Sequence, residues 1–348
     1  MNGPEEDLGI RGVRRLAEIL SIDSQWSTPI PRGIAWWAHD FRQRIWAEER
    51  VQDRGFSLWR IHVATDFLEA FDVTRPETRG WLGALLPFST QYAWVHDPAS
   101  GHLRLWSSSW VHEETFERRL RDLSVAAVLQ LSDAQSRAPA LAERFSEEID
   151  TSSHPASGRR GEPDEILGVV TQLFIPQGNA GSAWDTPAEF EETVELFNEN
   201  QSGFGSSGGH GLTLEFAFGD QTSMLRFQTD TPNPGLGNGL LQLLHLPLSL
   251  SEDECTDLAL RLNREETSEP TWSQLLGSWC GTDSIGSGWT PVFVSFLPNA
   301  MRKMGDVPSL AMNQASRARW ASAKLARCPD RPVVETVSER YRDLSDDN

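Results

Sequence analysis

Gly203-Phe204-Gly205-Ser206-Ser207-Gly208 meets the GxGxxG spacing of a dinucleotide site. Such glycines act after a strand and at the opening of a helix, where backbone N–H groups and the helix dipole meet a pyrophosphate. Here a helical pattern precedes the hexad and a strand pattern follows it, so the context is reversed and no phosphate role is expected. Five histidines, His39, His62, His96, His102 and His112, fall in the first third of the chain. His96 and His102 flank a predicted hairpin turn, but two imidazoles make no zinc site without a third ligand at a defined spacing. His112-Glu113-Glu114-Thr115-Phe116 begins like a zincin helix and then places Phe where the second His belongs. His245, inside Leu-Leu-His-Leu-Pro-Leu, reads as a core histidine.

Nucleophiles fare no better. Gly281-Thr282-Asp283-Ser284-Ile285-Gly286 misses GxSxG by one residue, with no strand-turn-helix around it. Cys280, beside Trp279 in an apolar run, reads as a buried inert thiol. The pair Asp253/Glu254 sits where a helix should begin, and the dipole alone accounts for it. No catalytic residue, cofactor site or metal site is therefore assigned, and a non-enzyme is expected. The alternative is an enzyme whose site is gathered from dispersed residues of the first domain, such as His62, His96, His102 and nearby acids. Such a site leaves no linear motif.

Two features suit recognition instead. Asn233-Pro234-Gly235-Leu236-Gly237-Asn238-Gly239 carries three glycines and two asparagines that can adopt positive φ, turning N–H groups toward one point as an anion nest or a peptide-binding rim. A tight connection between strands is the simpler use of the same residues. Nine of the 14 tryptophans lie between Trp26 and Trp110, either as an aromatic core or as a partner surface. Partner-binding candidates are accordingly Asn233, Gly235, Gly237, Asn238 and Gly239, with Trp36 and Trp37.

The elements that must hold these residues are clearest in the second half. Thr186-Pro187-Ala188-Glu189 is an N-cap, first-turn proline and capping glutamate, and Phe190, Val194 and Phe197 follow on one face. The Gly-rich run stops that helix. Leu212, Leu214, Phe216 and Phe218 alternate with polar or small residues, Gly219-Asp220-Gln221 turns, and Leu225, Phe227 and Thr229 alternate again: a hairpin. Leu-Leu-Gln-Leu-Leu-His-Leu-Pro-Leu predicts a central strand. Ser251 to Glu254 forms a capping box ahead of Cys255, Leu258, Ala259 and Leu262. Strands at LLGSWC and VFVSF and a helix over Ser309 to Leu325 complete an αβββαββα order.

The first half reads as a looser copy. A helix is expected over Ile34 to Arg54, strands around Arg60–Thr65, Trp81–Leu86, Gln91–His96 and Leu103–Ser107, then a helix bearing Phe116, Leu120 and Leu123. The fold class is α+β in two tandem domains, each an antiparallel sheet packed against helices. The boundaries are an N-terminal segment 1–33, a Trp-rich domain 34–145, a Ser/Pro/Gly-rich linker 146–163, a second domain 164–328 and a polar acidic tail 329–348.

In element order and texture, GLTLEFAFGDQTSMLRFQTDTPNPGLGNGLLQLLHLPL, SEDECTDLALRLNREE and VFVSFLPNA resemble the type III secretion chaperone-like fold, including the bacterial YbjN-like proteins. The resemblance covers roughly Asp164 to Cys328. It implies an acidic, non-enzymatic protein that binds extended polypeptides, here with two fused copies forming a pseudo-dimer within one chain.

Composition points the same way. The 31 cationic and 50 acidic residues leave a net charge of −19, which opposes binding to nucleic acid and anionic membranes and suits a basic or unfolded polypeptide. Only Lys303 and Lys324 among the cations are lysines; arginine suits bidentate recognition, and codon bias in a GC-rich genome is the simpler explanation. Cys255, Cys280 and Cys328 are too few for a disulfide framework and fit a reducing compartment. No apolar run approaches the ~20 residues of a membrane span, and the first fifteen residues lack a secretory h-region. The expectation is a cytoplasmic chaperone-like adaptor for a protein partner, as a monomer (pseudo-dimer) or homodimer.

Overall fold

A computed structural model describes residues 7–325 apart from 54, 70, 146–147, 150–151, 171, 173–183, 185–186, 201–202, 209, 270–271 and 284–287. The chain forms two compact units. One comprises the residues up to Thr78, Gln91–Gln172 and Gln274–Leu276; the other comprises Arg79–Thr90, Leu173–Ser273 and the residues from Gly277 onward. Neither unit is one continuous stretch of chain. Both pair an antiparallel sheet with helices, so the expected α+β class holds.

In the first unit, Asp7 caps α1 (Leu8–Ile19) by accepting from the Ile10 N–H. Gly12 lets that helix approach the sheet closely, since a Cβ there would lie 2.4 Å from Ile61 Cδ1. Strands β1 (Ser27–Ile30), β2 (Gly33–Trp37), β3 (Arg42–Ala47), β4 (Val51–Asp53) and β5 (Phe56–Glu69) follow. After α2 (Pro76–Leu85), which from Arg79 onward belongs to the second unit, β6 (Ala93–His96) and β7 (Leu103–Val111) return to the first sheet, and α3 (Phe116–Phe145) packs across β5 and β7. A two-residue strand, β8 (Glu148–Ile149), pairs with the end of β5. The sheet order is β1-β2-β3-β5-β7-β6.

The helix expected over Ile34 to Arg54 is instead β2, β3 and β4. Trp37, Phe41 and Ile45 recur every four residues, and a spacing of four is even, so it satisfies the period of a strand as well as that of a helix. The strand expected at Trp81–Leu86 is in fact the second half of α2 and the start of the 3-10 turn that follows it. The stretch with linker composition is built into this unit. Ser152 N–H donates to the Asp40 carbonyl, Asp164 N–H to that of Ala38, and Arg159 pairs with Asp40 at 2.9 Å.

In the second unit, α4 (Pro187–Glu199) leads into β9 (Phe204–Gly208), β10 (Gly211–Phe218), β11 (Gln221–Asn233) and β12 (Gly237–His245). Then come α5 (Glu252–Ser268), closed by the expected Ser251/Glu254 capping box, β13 (Ser278–Asp283), β14 (Trp289–Pro298) and α6 (Asp306–Leu325). The order β13-β14-β12-β11-β10-β9 contains one strand more than expected, because the Gly-rich hexad read as a loop is β9. The expected N-cap Thr186, Cys328 and the tail 329–348 lie outside the described residues.

With the short β4, which pairs only with β5, set aside, both halves of the chain follow one connectivity: helix, four-strand meander, helix, hairpin, helix. In each, the hairpin's second strand docks beside the meander's last. Each core also holds a polar layer under its final helix. Gln130 of α3 donates to the Val63 carbonyl and Ser107 Oγ and accepts from Thr65, while Gln43 bridges Thr65 to the Trp36 indole. Gln314 of α6 donates to Gln242 and accepts from Arg317, whose guanidinium pairs with Glu266 at 2.8 Å.

Candidate functional site

β9 is the outermost strand of the second sheet. It pairs with β10 from Gly208↔Gly211 to Phe204↔Glu215, and no strand among the described residues pairs with its other side. Its sequence, Phe-Gly-Ser-Ser-Gly, has no lysine, proline or inward charge of the kind that normally blunts an edge. Glycine is required at its second position, since a Cβ on Gly205 would stand 2.3 Å from the Thr213 carbonyl oxygen. Backbone directions alternate along an antiparallel strand. The Gly205 N–H donates to Asn198 Oδ1 at 3.1 Å, away from β10, so Ser207, two residues on, faces the same open side. Asn198 thus covers half of the edge and leaves Ser207 to offer the other half.

α4 supplies the flank. Phe190, Val194 and Phe197 are buried, with Phe197 against the Phe216 ring at 5.7 Å, and this fixes the helix beside β9 and β10. The reverse face exposes Glu191, Glu195 and Glu199 at intervals of four, with Glu192 alongside. None of the four is held in an ion pair among the described residues. Leu196 and Phe204 remain 43% and 66% exposed, so the edge carries apolar contact area as well as charge. A backbone edge, an acidic stripe and exposed apolar side chains together can receive an extended peptide with basic side chains.

The residues named from sequence are used differently. Asn233 and Gly237 close the β11–β12 hairpin as the ladder's last pair; Leu236 N–H donates to the Asn233 carbonyl and Gly235 N–H to Asn233 Oδ1. Gly237 supplies φ +74°, and Asn238 and Gly239 continue as strand, where a Cβ on Gly239 would meet the Phe296 ring at 2.4 Å. The loop is the strand connection, with two of its amides already spent inside the turn. Trp36 and Trp37 are core residues: both are buried, their indoles donating to Gln43 Oε1 and Ser152 Oγ. This corrects the reading of the pair as a partner surface, because the sheet's inner face and the 152–164 strap cover them.

His62, His96 and His102 are not brought together. His62 pairs across β7 with Ser108 and His96 with Leu103, five residues away along that strand (~16 Å) and on the opposite face. His102 precedes β7. His62 is buried with both ring nitrogens engaged: Nδ1 accepts from the Trp106 indole at 3.1 Å, and Nε2 donates to Glu48 at 2.8 Å. Trp46 stacks on the ring at 4.8 Å. Burial, helped by the nearby Arg60 charge and opposed by Glu48, lowers its pKa to about 4, so the imidazole is neutral. His245 is likewise lowered to about 4 by burial and Arg226.

His96 bonds the Phe71 carbonyl, and His39 sits with Gln135 and Asp40. Burial raises the Cys280 thiol pKa, which leaves it unreactive. No group of three or more metal-ligating side chains occurs among the described residues. No helix described is long and apolar enough to cross a membrane.

The β9 edge was missed from sequence because its glycines read as a helix stop. The available signal was the Ser-Ser-Gly continuation directly before the hairpin that begins at Leu212. No protein-family model, curated protein or solved structure matches the chain.

Proposed function

We propose that the protein is a non-catalytic, chaperone-like adaptor that takes an extended, basic segment of a protein partner as an added strand on β9. The observation that carries this reading is the edge of β9, open among the described residues, beside the glutamates of α4 that no described residue pairs. Main-chain bonds at Ser207 would supply affinity, and Glu191, Glu195 and Glu199 would select lysine or arginine at alternate positions. The net charge of −19 speeds encounter with such a segment and disfavours nucleic acid and anionic lipid. The type III secretion chaperone-like resemblance and the shared connectivity of the two halves support a duplicated, non-enzymatic protein working in the cytoplasm as a pseudo-dimer.

The test is fluorescence anisotropy with labelled ten-residue peptides alternating valine with lysine or with glutamate. The lysine peptide should bind, weaken with salt, and weaken further with Glu191→Lys/Glu195→Lys. Ser207→Pro, which deletes the outward N–H, should abolish binding. Equal binding of the glutamate peptide, or full binding by a folded Ser207→Pro variant, would refute the proposal.

A further inference from the structure

On the first sheet's face that carries His62, register places Arg42, Asp66 and Arg104 in one row across β3, β5 and β7. Arg44, Ala64 and Trp106 form the next row. Asp66 is fully buried and accepts from all three arginines: Arg42 at 2.7 Å, Arg44 at 2.8 Å and Arg104 at 3.1 Å. Arg104 also reaches Asp97 at 3.5 Å. Three guanidinium groups therefore share two carboxylates, an excess of one positive charge in a chain of net −19.

Their donors are likewise in excess. Each guanidinium carries five N–H donors. The bonds to Asp66 and Asp97 leave Arg42 Nη1, Arg44 Nε and Nη1, and Arg104 Nη2 unengaged by the described residues, and Arg44 Nε is buried with no hydrogen-bond partner among them. Burial, together with the charges of Arg104 and Arg42, lowers the Arg44 pKa despite Asp66. A bound anion would relieve that repulsion. Arg42 and Arg44 stay 37% and 28% exposed, so the cluster is open to solvent, and Ala64 contributes only a methyl group between Arg44 and Trp106.

We propose that Arg42, Arg44 and Arg104 form a binding site for a phosphate-class oxyanion, with Asp66 as the buried anchor that holds the three forks in place. Planar guanidinium forks match such oxygens bidentately. The Trp46 ring, 5.8 Å from the Arg44 guanidinium carbon, adds an aromatic wall that suits a phosphate carried on an aromatic molecule. This site is independent of the β9 edge.

The experiment is isothermal titration of the full chain with inorganic phosphate and with adenosine monophosphate, in chloride buffer of matched ionic strength. Binding of one or both is expected. Similar affinities would point to the free ion, and tighter nucleotide binding to a phosphate borne on an aromatic group. Arg42→Gln should weaken binding about tenfold. Asp97→Asn, which removes a competing carboxylate but keeps its turn-forming oxygen, should tighten it several-fold. A purely structural ion cluster predicts no gain from Asp97→Asn. No binding to wild type, or unchanged affinity in both variants, would overturn the site.

Discussion

Acidification should destabilise the first unit through His62, and the size of the effect follows from its surroundings. The imidazole is neutral in the fold, with a pKa of about 4 against an ordinary 6.5. A group whose folded pKa is depressed takes up its proton more readily when unfolded, so stability falls as pH drops from about 6.5 toward 4. At pH 4.5 the unfolded imidazole is almost fully protonated and the folded one mostly neutral, a penalty of about 2–3 kcal/mol. His62→Gln isolates this contribution, because the amide can still donate to Glu48 and accept from Trp106. Urea unfolding followed by tryptophan fluorescence at pH 7 and pH 4.5 gives the comparison. Carboxylates titrate in both proteins and largely cancel in the difference. Wild type should lose about 2–3 kcal/mol more than the variant over that interval. Parallel pH profiles would show that His62 is not held neutral, and the stacked, doubly bonded geometry would be wrong.

Three further outcomes follow from the packing. Arg317→Met strands Glu266 in the second core without its cation and should cost about 3–5 kcal/mol in urea unfolding, whereas Arg317→Met/Glu266→Gln should recover much of that loss. Leu275→Ala should destabilise the first unit by about 2–5 kcal/mol although the residue follows β12 and α5 in the chain. Leu275 is fully buried and exchanges both backbone bonds with Ser108, so amide exchange at β7 should quicken; an effect confined to β13 would contradict this. Gly205→Ala should lower stability and free the Asn198 contact, read by exchange at β9, because its methyl would collide with the Thr213 carbonyl.

The second unit was legible because its signals agree locally. Alternation at Leu212–Phe218, the Ser251/Glu254 box and the stripe from Cys255 to Leu262 each point to one element, and no distant contact overrules them. The first half misled where the apolar spacing was ambiguous. Trp37, Phe41 and Ile45 fit both periods, and only the register of β3 with Thr65, Ala64 and Val63 of β5 decides between them. Exchange of Gln274–Leu276 and Arg79–Thr90 between the units depends on tertiary pairing and has no local mark.

The candidate sites divide in the same way. The hairpin reading of Asn233 to Gly239 was available from turn chemistry alone. The burial of Trp36 and Trp37 was not, because it depends on residues more than a hundred positions away, such as Ser152. The arginine triad is invisible in sequence for the same reason, its members lying on three strands.

The most direct test of the adaptor reading is hydrogen exchange by NMR of the full chain, with and without the valine–lysine peptide. The account predicts slowed exchange at Ser207 and its β9 neighbours, with charge-dependent shifts along Glu191, Glu195 and Glu199. Protection confined to residues away from β9 and α4, or none at saturating peptide, would contradict it.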